Sequence, residues 1–308
     1  MRVITHSKEL QPGSQKVCAA IGVFDGLHLG HQQVIRKTLA DALQWEALSV
    51  VITFDRHPSA LLAPDKAPPM IYTNARRLRT LEDMGVDATW LIPFDAPFSQ
   101  TPGDVFIRGL AADFSPLHSL SVGIDFAFGH RRSGNVGVLQ VLGKELGFVV
   151  HGLASVALDG EIVSSTRIRH AIQSGRLDAA DQMLGRPWSL SGRVVHGEHL
   201  GRRLGFPTAN LAVTGLTLPP NGVYAAHVRV RGVDHRSVLN IGHRPTVSEG
   251  ATSLRVEAHL LHFTQDIYGE EVEVFFIERL RDEMRFGSLE LLQAQIALDI
   301  RKAEGLFE

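Results

Sequence analysis

Cysteine, tyrosine and tryptophan are scarce in this 308-residue chain, and what is missing narrows the class of protein. Cys18 is the single cysteine, so no intramolecular disulfide can form and a reducing compartment is indicated. It lies in the apolar run Val17–Ile21, which predicts a buried structural thiol. No apolar run is long enough to span a bilayer, and residues 1–15 lack a signal-peptide pattern. We therefore expect a cytoplasmic protein without a membrane partner.

An excess of charge of either sign is also missing. The 31 basic and 33 acidic residues leave a net charge of −2, which does not indicate a nucleic-acid partner. A local basic cluster, Arg76–Arg79, is interpreted as a solvated helix face. The hydrophobic fraction of 44% is that of an ordinary globular protein, and the length favours two domains. We expect a monomer or a weak homo-oligomer.

The first 184 residues alternate short apolar runs with longer amphipathic ones. The predicted strands are Val17–Val23, Leu48–Phe54, Ala88–Ile92 and Leu117–Ile124, and the predicted helices are Gly30–Leu43, Asn74–Met84, Pro102–Ala111 and Gly134–Leu146. Such alternation is typical of an α/β domain whose parallel sheet is covered on both faces. Four prolines between Arg56 and Pro69 predict a loop that is a candidate flap.

The hydrophobic period changes after Gly185-Arg186-Pro187, which follows two short helical patterns. The β-rich runs beyond it are Leu190–His196, Gly222–Val230, Ser237–Ile241, Leu254–Leu261 and Val272–Ile277. They predict a mainly antiparallel sheet or small barrel, closed by a helix over Ser288–Lys302. We therefore predict two domains, residues 1–184 and residues 185–308.

Residues 21–31, IGVFDGLHLGH, run from the end of a strand through a tight turn into a helix. A helix N-terminus at the carboxyl end of a parallel strand offers free N–H groups and partial positive charge to a phosphate. His28 and His31 fall on one face of that helix, and Gly30 leaves the backbone open to a ligand. Zinc is disfavoured, because no cysteine accompanies the pair and no HExxH string is present. The HxGH pattern is typical of nucleotidyltransferases.

A second string, VSSTRIR at residues 163–169, places hydroxyl groups at a helix start and basic side chains on its first turn. Ser165 or Thr166 alone fits a helix N-cap as well as it fits a binding role. The hydroxyls and Arg169 would suit the β- and γ-phosphates of a nucleotide.

A third segment, residues 192–210, joins a strand to a glycine-punctuated basic loop that ends in Pro-Thr-Ala-Asn. It contains no Walker sequence. Gly197, Gly201 and Gly205 would let backbone amides close around phosphates. Thr208 and Asn210 are hard oxygen donors of the kind that Mg²⁺ accepts. From the residues alone, a phosphate loop is only slightly favoured over an ordinary β-domain turn.

Together these strings resemble, over nearly the whole chain, the prokaryotic bifunctional riboflavin kinase/FAD synthetase family. Further strings that carry the resemblance are Thr53–Pro58, Val122–Gly129, Leu184–Pro187, Asn221–Tyr224, Asn240–Thr246, Val256–His259, Asp266–Gly269 and Leu280–Phe286. The resemblance implies a Rossmann-like nucleotidyltransferase domain, then a β-barrel kinase domain with a C-terminal helix. The implied reactions are riboflavin phosphorylation by ATP, and adenylyl transfer from ATP to FMN, which yields FAD and pyrophosphate.

The resemblance also implies residue roles. For adenylyl transfer, His28 and His31 would act on the α-phosphate, and the flavin side would be lined by Asp125, Phe126 and Phe128. The residues implied for ATP and phosphate binding are Gly22, Phe24, Gly30, Ser165, Thr166, Arg169, Gly197, Gly201 and Gly205. In the kinase, Glu257 would be the general base, and Thr208 and Asn210 would hold Mg²⁺ with ATP.

Purely structural interpretations of some of these residues also stay open. In Leu254–Leu261 the alternation sets Glu257 opposite Val256 and Ala258, which suits a solvent-facing glutamate as well as a base. The phenylalanines at 126 and 128 also suit core packing. Ala127 and Arg56 depart from residues common in the family, which puts FMN affinity at the adenylation site in question.

Three rival functions are weighed against this one. The first is an enzyme in which only one of the two domains is catalytically active, and intact motifs in both halves argue against it. The second is a different HxGH transferase, which would not need the Gly-Phe-Pro-Thr-Ala-Asn half. The third is a flavin-binding or RNA-binding regulator, which would bind ligand without turnover.

Overall fold

The structure is a computed structural model that describes residues 1–197, 201, 204–245 and 252–307, without the side chains of residues 243–245 and 252–253. The chain divides into two compact units. Unit 1 comprises Met1–Ile168 and Met183–Gly185, and unit 2 comprises Arg169–Gln182 and Arg186–Glu308. The predicted domain boundary between residues 184 and 185 stays a prediction.

Unit 1 is built on a six-stranded parallel sheet. The strands of this unit are β1 Arg2–Ile4, β2 Val17–Ile21, β3 Leu48–Phe54, β4 Ala88–Ile92, β5 Leu117–Gly123, β6 Ala127–Phe128, β7 Gly134–Asn135, β8 Val149–Leu153, β9 Ala157–Leu158 and β10 Glu161–Ile162. The sheet order is β1-β4-β3-β2-β5-β8, with β6/β7 and β9/β10 as small antiparallel pairs. This confirms the predicted parallel sheet.

Helices connect these strands. They are α1 Leu29–Gln44, α2 Ser59–Leu62, α3 Asn74–Asp83, α4 Ala96–Ser99, α5 Gly103–Asp113 and α6 Val136–Leu146, followed by α7 Ser165–Gln173 and α8 Leu177–Leu184. The proline-rich segment 56–69 was predicted as a loop, but it contains α2 and a 3-10 turn at Pro64–Lys66. Pro58 precedes the first turn of α2, where a missing N–H costs nothing.

The strand order reverses between β2 and β5, because the chain leaves β2 for β3 on one side and β5 lies on the other. Ligands of open α/β sheets bind at the carboxyl ends of strands at this point. All five residues of β2 are buried, and Cys18 among them is fully buried, as predicted. The carboxyl end of β2 is therefore the first place to look for a site.

The interpretation of a basic cluster in unit 1 is also wrong. The cluster Arg76–Arg79 was taken as a solvated helix face, but the side chain of Arg77 is only 2% exposed. Arg79 is exposed and Arg76 is half-buried. Position 77 faces the sheet because α3 packs over the ends of β2 and β3, where Arg77 finds its hydrogen-bond acceptors.

Unit 2 contains a closed, fully antiparallel barrel. Its strands are β11 Ser189–Val195, β12 Ala209–Ala212, β13 Gly222–Val230, β14 Val233–Pro245, β15 Thr252–Leu260 and β16 Glu271–Arg281, and the order around the barrel is β11-β12-β15-β14-β13-β16. The last helix, α9, spans Leu289–Glu304. This confirms the predicted barrel and C-terminal helix. None of the helices in the described ranges is both long and apolar enough to cross a bilayer.

The C-terminal half of α9 packs on the outside of the barrel. Ala303 joins a buried cluster with Val223, Ala225 and Val238 from β13 and β14. Arg281 of β16 forms an ion pair of 2.7 Å with Asp299 of α9 in a largely buried position.

Candidate active sites in the two units

The segment Gly22–His31, here called the histidine turn, joins the carboxyl end of β2 to α1. His28 is the N-cap residue of α1, and its Nδ1 accepts a hydrogen bond from the His31 backbone N–H at 3.4 Å. The two imidazole rings stack with centroids 3.6 Å apart and planes 20° apart. Both predicted histidines therefore lie side by side at a helix N-terminus, where phosphate is favoured.

The environment of His31 keeps its ring neutral. Burial holds the pKa of His31 well below the usual 6.5, and the charges of His28 and Arg77 lower it further. Its Nδ1 is buried and has no hydrogen-bond partner within the described ranges. An unsatisfied buried polar atom is costly, and functional sites are where such atoms are tolerated.

The remaining predicted residues of the histidine turn shape its backbone. Phe24 is 2% exposed, and its ring packs edge-on against His31 at 5.3 Å. A Cβ at Gly22 would lie 2.8 Å from that ring, so only glycine fits there. A Cβ at Gly30 would lie 3.2 Å from the His28 ring. The Phe24 side chain is thus committed to packing, which leaves its backbone for any ATP contact.

The second string meets the histidine turn. Ser165 Oγ donates a hydrogen bond of 3.1 Å to the Asp25 carbonyl oxygen. The capping hydroxyl of α7 is that of Ser164, which accepts from the Arg167 N–H at 3.2 Å. The N-cap alternative for Ser165 and Thr166 is therefore wrong. Thr166 is exposed, while Arg169 is buried and belongs to unit 2.

The three predicted flavin residues follow β5. Asp125 is exposed and accepts a 3.5 Å hydrogen bond from Ser155. Phe126 is half-buried and stacks on Phe128, with centroids 5.4 Å apart. Phe128 is 8% exposed, and its ring fills the space that a Cβ at Gly134 would need. Packing accounts for Phe128, whereas Phe126 and Asp125 have faces that a flavin can reach.

In unit 2, the strand register aligns three polar residues across neighbouring strands. Asn210 of β12 pairs with Glu257 of β15, and Glu257 pairs on its other side with Asn240 of β14. Directly opposed residues of an antiparallel sheet point to the same face. Their chain neighbours are buried in the barrel, which leaves this polar row, Asn210-Glu257-Asn240, on the outer face. The alternation predicted around Glu257 is confirmed.

Gly197 and Gly201 lie close to Asn210 and Thr208. A Cβ at Gly197 would overlap the Asn210 side-chain amide, and a Cβ at Gly201 would overlap the Phe206 carbonyl and lie 3.1 Å from Thr208 Oγ1. Gly205 has a left-handed φ of 86°, which favours glycine. Glycines 197 and 201 therefore bring backbone directly against the two predicted metal ligands.

His259 fixes the approach to Thr208. It lies two residues beyond Glu257 on the same face of β15, and its Nδ1 contacts the Pro207 carbonyl oxygen at 2.8 Å. Sequence reasoning assigned no role to this histidine. Its spacing of two from Glu257 within a strand was the signal that could have identified it.

A cavity of about 400 Å³ opens beside Thr208. Its lining combines apolar and polar groups and comprises Val194, Pro207, Thr208, Ala209, Ala258, Leu260, Phe263, Thr264, Gln265, Asp266, Ile267 and Tyr268. The ring of Tyr268 also stacks on His196 at 3.9 Å. A volume of this size suits a small organic ligand or part of one.

Apolar groups are exposed on the segment that leads into α9. Glu283 lies over β14 so closely that a Cβ at Gly242 would overlap its carboxylate. Gly242 follows Asn240 by two residues and so shares its face of the strand. Met284 is 51% exposed and Leu289 53% exposed. Glu283, and with it the adjacent Met284, therefore lies near the strand that carries Asn240.

Comparison with known proteins assigns both halves of the chain. The FAD synthetase family profile matches residues 10–167, and the riboflavin kinase profile matches residues 184–307. The bifunctional riboflavin kinase/FMN adenylyltransferase of Haemophilus influenzae is 39% identical over 94% of both chains. The chain belongs to the bifunctional riboflavin kinase/FMN adenylyltransferase family. The member from Escherichia coli K12 is 37% identical over 100% of this chain and 98% of its own.

A solved structure shares the whole fold of this family member. It is described as a macrolide-efflux protein from Streptococcus pneumoniae, is 30% identical, covers 99% of both chains and has a TM-score of 0.80. The efflux description belongs to that protein. Besides His259, the cavity beside Thr208 and the exposed Met284 are features that sequence reasoning did not find, because the residues of the cavity come from several separate strings.

Proposed function

We propose that the chain carries two active sites: adenylyl transfer to FMN at the histidine turn, and riboflavin phosphorylation at the polar row. The observation that carries this proposal is the polar row itself, where strand register sets a carboxylate directly beside two neutral oxygen donors. We propose a cytoplasmic monomer or weak homo-oligomer.

In the kinase reaction, Glu257 accepts the proton of the ribityl 5′-hydroxyl as that oxygen attacks the γ-phosphorus of ATP. The bond to the bridging oxygen breaks, and ADP leaves with the electron pair. Such transfer needs positioning and charge stabilisation more than covalent chemistry. Gly197 and Gly201 lie against Asn210 and Thr208, so their backbone amides are the proposed phosphate donors. The exposed Met284 and Leu289 provide the apolar surface for the isoalloxazine ring.

The residues at the polar row fit a divalent cation that arrives with ATP. Thr208 and Asn210 offer a hydroxyl and an amide oxygen, which are hard donors. Within the described ranges, no three His, Cys, Asp or Glu side chains converge to form a metal site. A cation here would therefore be held mainly by phosphate oxygens, which is the mode that Mg²⁺ prefers. Mg²⁺ would neutralise charge on the transferred phosphoryl group.

We place the base of ATP in the 400 Å³ cavity of unit 2. Thr208 lines that cavity and is also a proposed metal ligand, so a nucleotide bound there would direct its phosphates toward the polar row. Phe263 and Tyr268 are aromatic walls on which an adenine can stack.

In the adenylyl transfer, an FMN phosphate oxygen attacks the α-phosphorus of ATP, and pyrophosphate leaves. His28 and His31 donate hydrogen bonds to the oxygens on which charge develops, and His31 does so as a neutral imidazole with one N–H donor. Ser165, Thr166 and Arg169 bind the departing phosphates. Asp125 and Phe126 contact the flavin.

Product chromatography of single-site variants tests the two-site proposal. Glu257→Gln and Asn210→Ala should lower FMN formation at least 100-fold and leave FAD synthesis from supplied FMN within about twofold of wild type. His28→Ala combined with His31→Ala should do the reverse. Glu278→Gln, an exposed carboxylate on β16, and His6→Ala, an exposed histidine, serve as matched controls. A folded variant of either site that lost both activities would contradict the proposal.

A further inference from the structure

Arg77 is a fully buried cation that no role above uses. Its guanidinium donates from Nη1 to the Phe54 carbonyl at 2.9 Å and to Asn74 Oδ1 at 2.8 Å. From Nη2 it donates to the Val23 carbonyl at 2.7 Å and to Thr53 Oγ1 at 2.6 Å. One side chain therefore ties the histidine turn, the end of β3 and the start of α3 together.

The Val23 carbonyl is the centre of this network. Thr53 Oγ1 donates a second hydrogen bond to the Val23 carbonyl at 2.8 Å. Arg77, Thr53 and Val23 are therefore joined by a closed network of three hydrogen bonds. Val23 follows Gly22 and precedes Phe24, whose ring contacts His31. The position of the Val23 carbonyl thus sets the path of the backbone that carries Phe24, whose ring packs against His31.

Burying a guanidinium is expensive unless it is hydrogen-bonded and charge-compensated. Asp25 and Asp55 lie near enough to raise the pKa of Arg77 against the effect of burial, which is larger and lowers it. Guanidinium groups stay charged near neutral pH in either case. An apolar residue at 77 would remove all four hydrogen bonds at once, so the guanidinium, and not merely the volume of the side chain, is what holds the histidine turn.

We infer that Arg77 is a positioning residue of the adenylyl-transfer site, where its two-pronged guanidinium holds the histidine turn in place. The inference rests on the proposed function of that turn. Two separable effects follow. The fork geometry fixes the backbone, and the charge disfavours a second positive charge on His31, whose pKa it lowers together with burial and His28.

Arg77→Lys and Arg77→Gln separate the two effects. A lysine keeps the charge, but its single ammonium cannot reach four acceptors in the fork geometry. We expect kcat for FAD formation from FMN to fall at least tenfold in both variants, with a smaller change in KM for ATP. FMN formation from riboflavin in unit 2 reports on the integrity of the same chain and should stay within twofold.

Imidazole NMR titration of the full chain gives a readout that does not depend on turnover. The His31 signal, assigned by its loss in His31→Gln, should titrate at higher pH in Arg77→Gln and near its wild-type position in Arg77→Lys. Arg79→Gln and Arg79→Lys, exposed on the same helix, should leave kcat and the titration unchanged.

The outcomes are decisive in both directions. Wild-type kcat in Arg77→Lys would overturn the positioning role, and an unmoved His31 titration in folded Arg77→Gln would overturn the charge effect. A lower melting temperature with normal kcat and titration would show a purely structural arginine. If the wild-type chain made no FAD at all, the proposed function would fail, while the titration would still test the influence of Arg77 on His31.

Discussion

The substitution Gly197→Ala adds a single methyl group and should strongly reduce riboflavin phosphorylation. The added Cβ would overlap the Asn210 side-chain amide, so either the loop or Asn210 must move. Relief of such an overlap requires a shift on the order of 1 Å, and misplacement of that size in a catalytic group costs about 100-fold in rate. This corresponds to about 2.7 kcal/mol of transition-state stabilisation. We therefore expect kcat/KM for riboflavin phosphorylation to fall about 100-fold.

The assay compares FMN formation and FAD formation in the same preparation, so the unit 1 activity is the internal control. Gly305→Ala is the matched control, because a Cβ there meets only ordinary contacts beyond 3.6 Å. In an Asn210→Ala background, Gly197→Ala should have no further effect, since the group it displaces is gone. Normal phosphorylation by Gly197→Ala, or an additive loss in the double variant, would refute the reasoning.

Two further predictions concern unit 1. Burial alone would raise the pKa of Asp41, but hydrogen bonds from Lys37 and Ser119 help to hold it below the usual 3.8. Asp41→Asn should lower the unfolding free energy by about 1–3 kcal/mol at pH 7, and in urea titrations this difference should vanish as pH falls below the folded-state pKa. Phe126→Ala should raise KM for FMN about fivefold, since ring stacking contributes about 1 kcal/mol, and should lower the melting temperature less than Phe128→Ala, because Phe126 is only half-buried. Phe128→Ala should instead destabilise the unit by about 3–5 kcal/mol in calorimetry.

The alternating apolar runs predicted the central strands of the parallel sheet to within two residues, because buried strands carry a strong and local signal. The strands that were missed are short or at an edge. β1 has three residues, and β8 is an edge strand with Val149 half exposed. Neither strand therefore has the run of buried apolar residues that predicts a strand from sequence. β12 was hidden because its first residues belong to a string that looked like a loop.

The candidate site was predictable where its chemistry is local, as at His28 and His31. The polar row was not, because the pairing of Asn210, Glu257 and Asn240 is fixed by register between strands far apart in the chain. The burial of Arg77 was missed for the same reason, since Val23 and Phe54 belong to other elements. A basic residue on a polar helix is exposed by default, and only tertiary contacts reverse that.

The closed barrel limits how the kinase half can change in evolution or engineering. A one-residue insertion or deletion within β12 or β15 would turn every following side chain to the opposite face. Asn210 or Glu257 would then point into the core, and a closed barrel has no free edge at which the shift could be absorbed. Length variation among working relatives should therefore be confined to the connections between strands, while these two strands vary only by substitution.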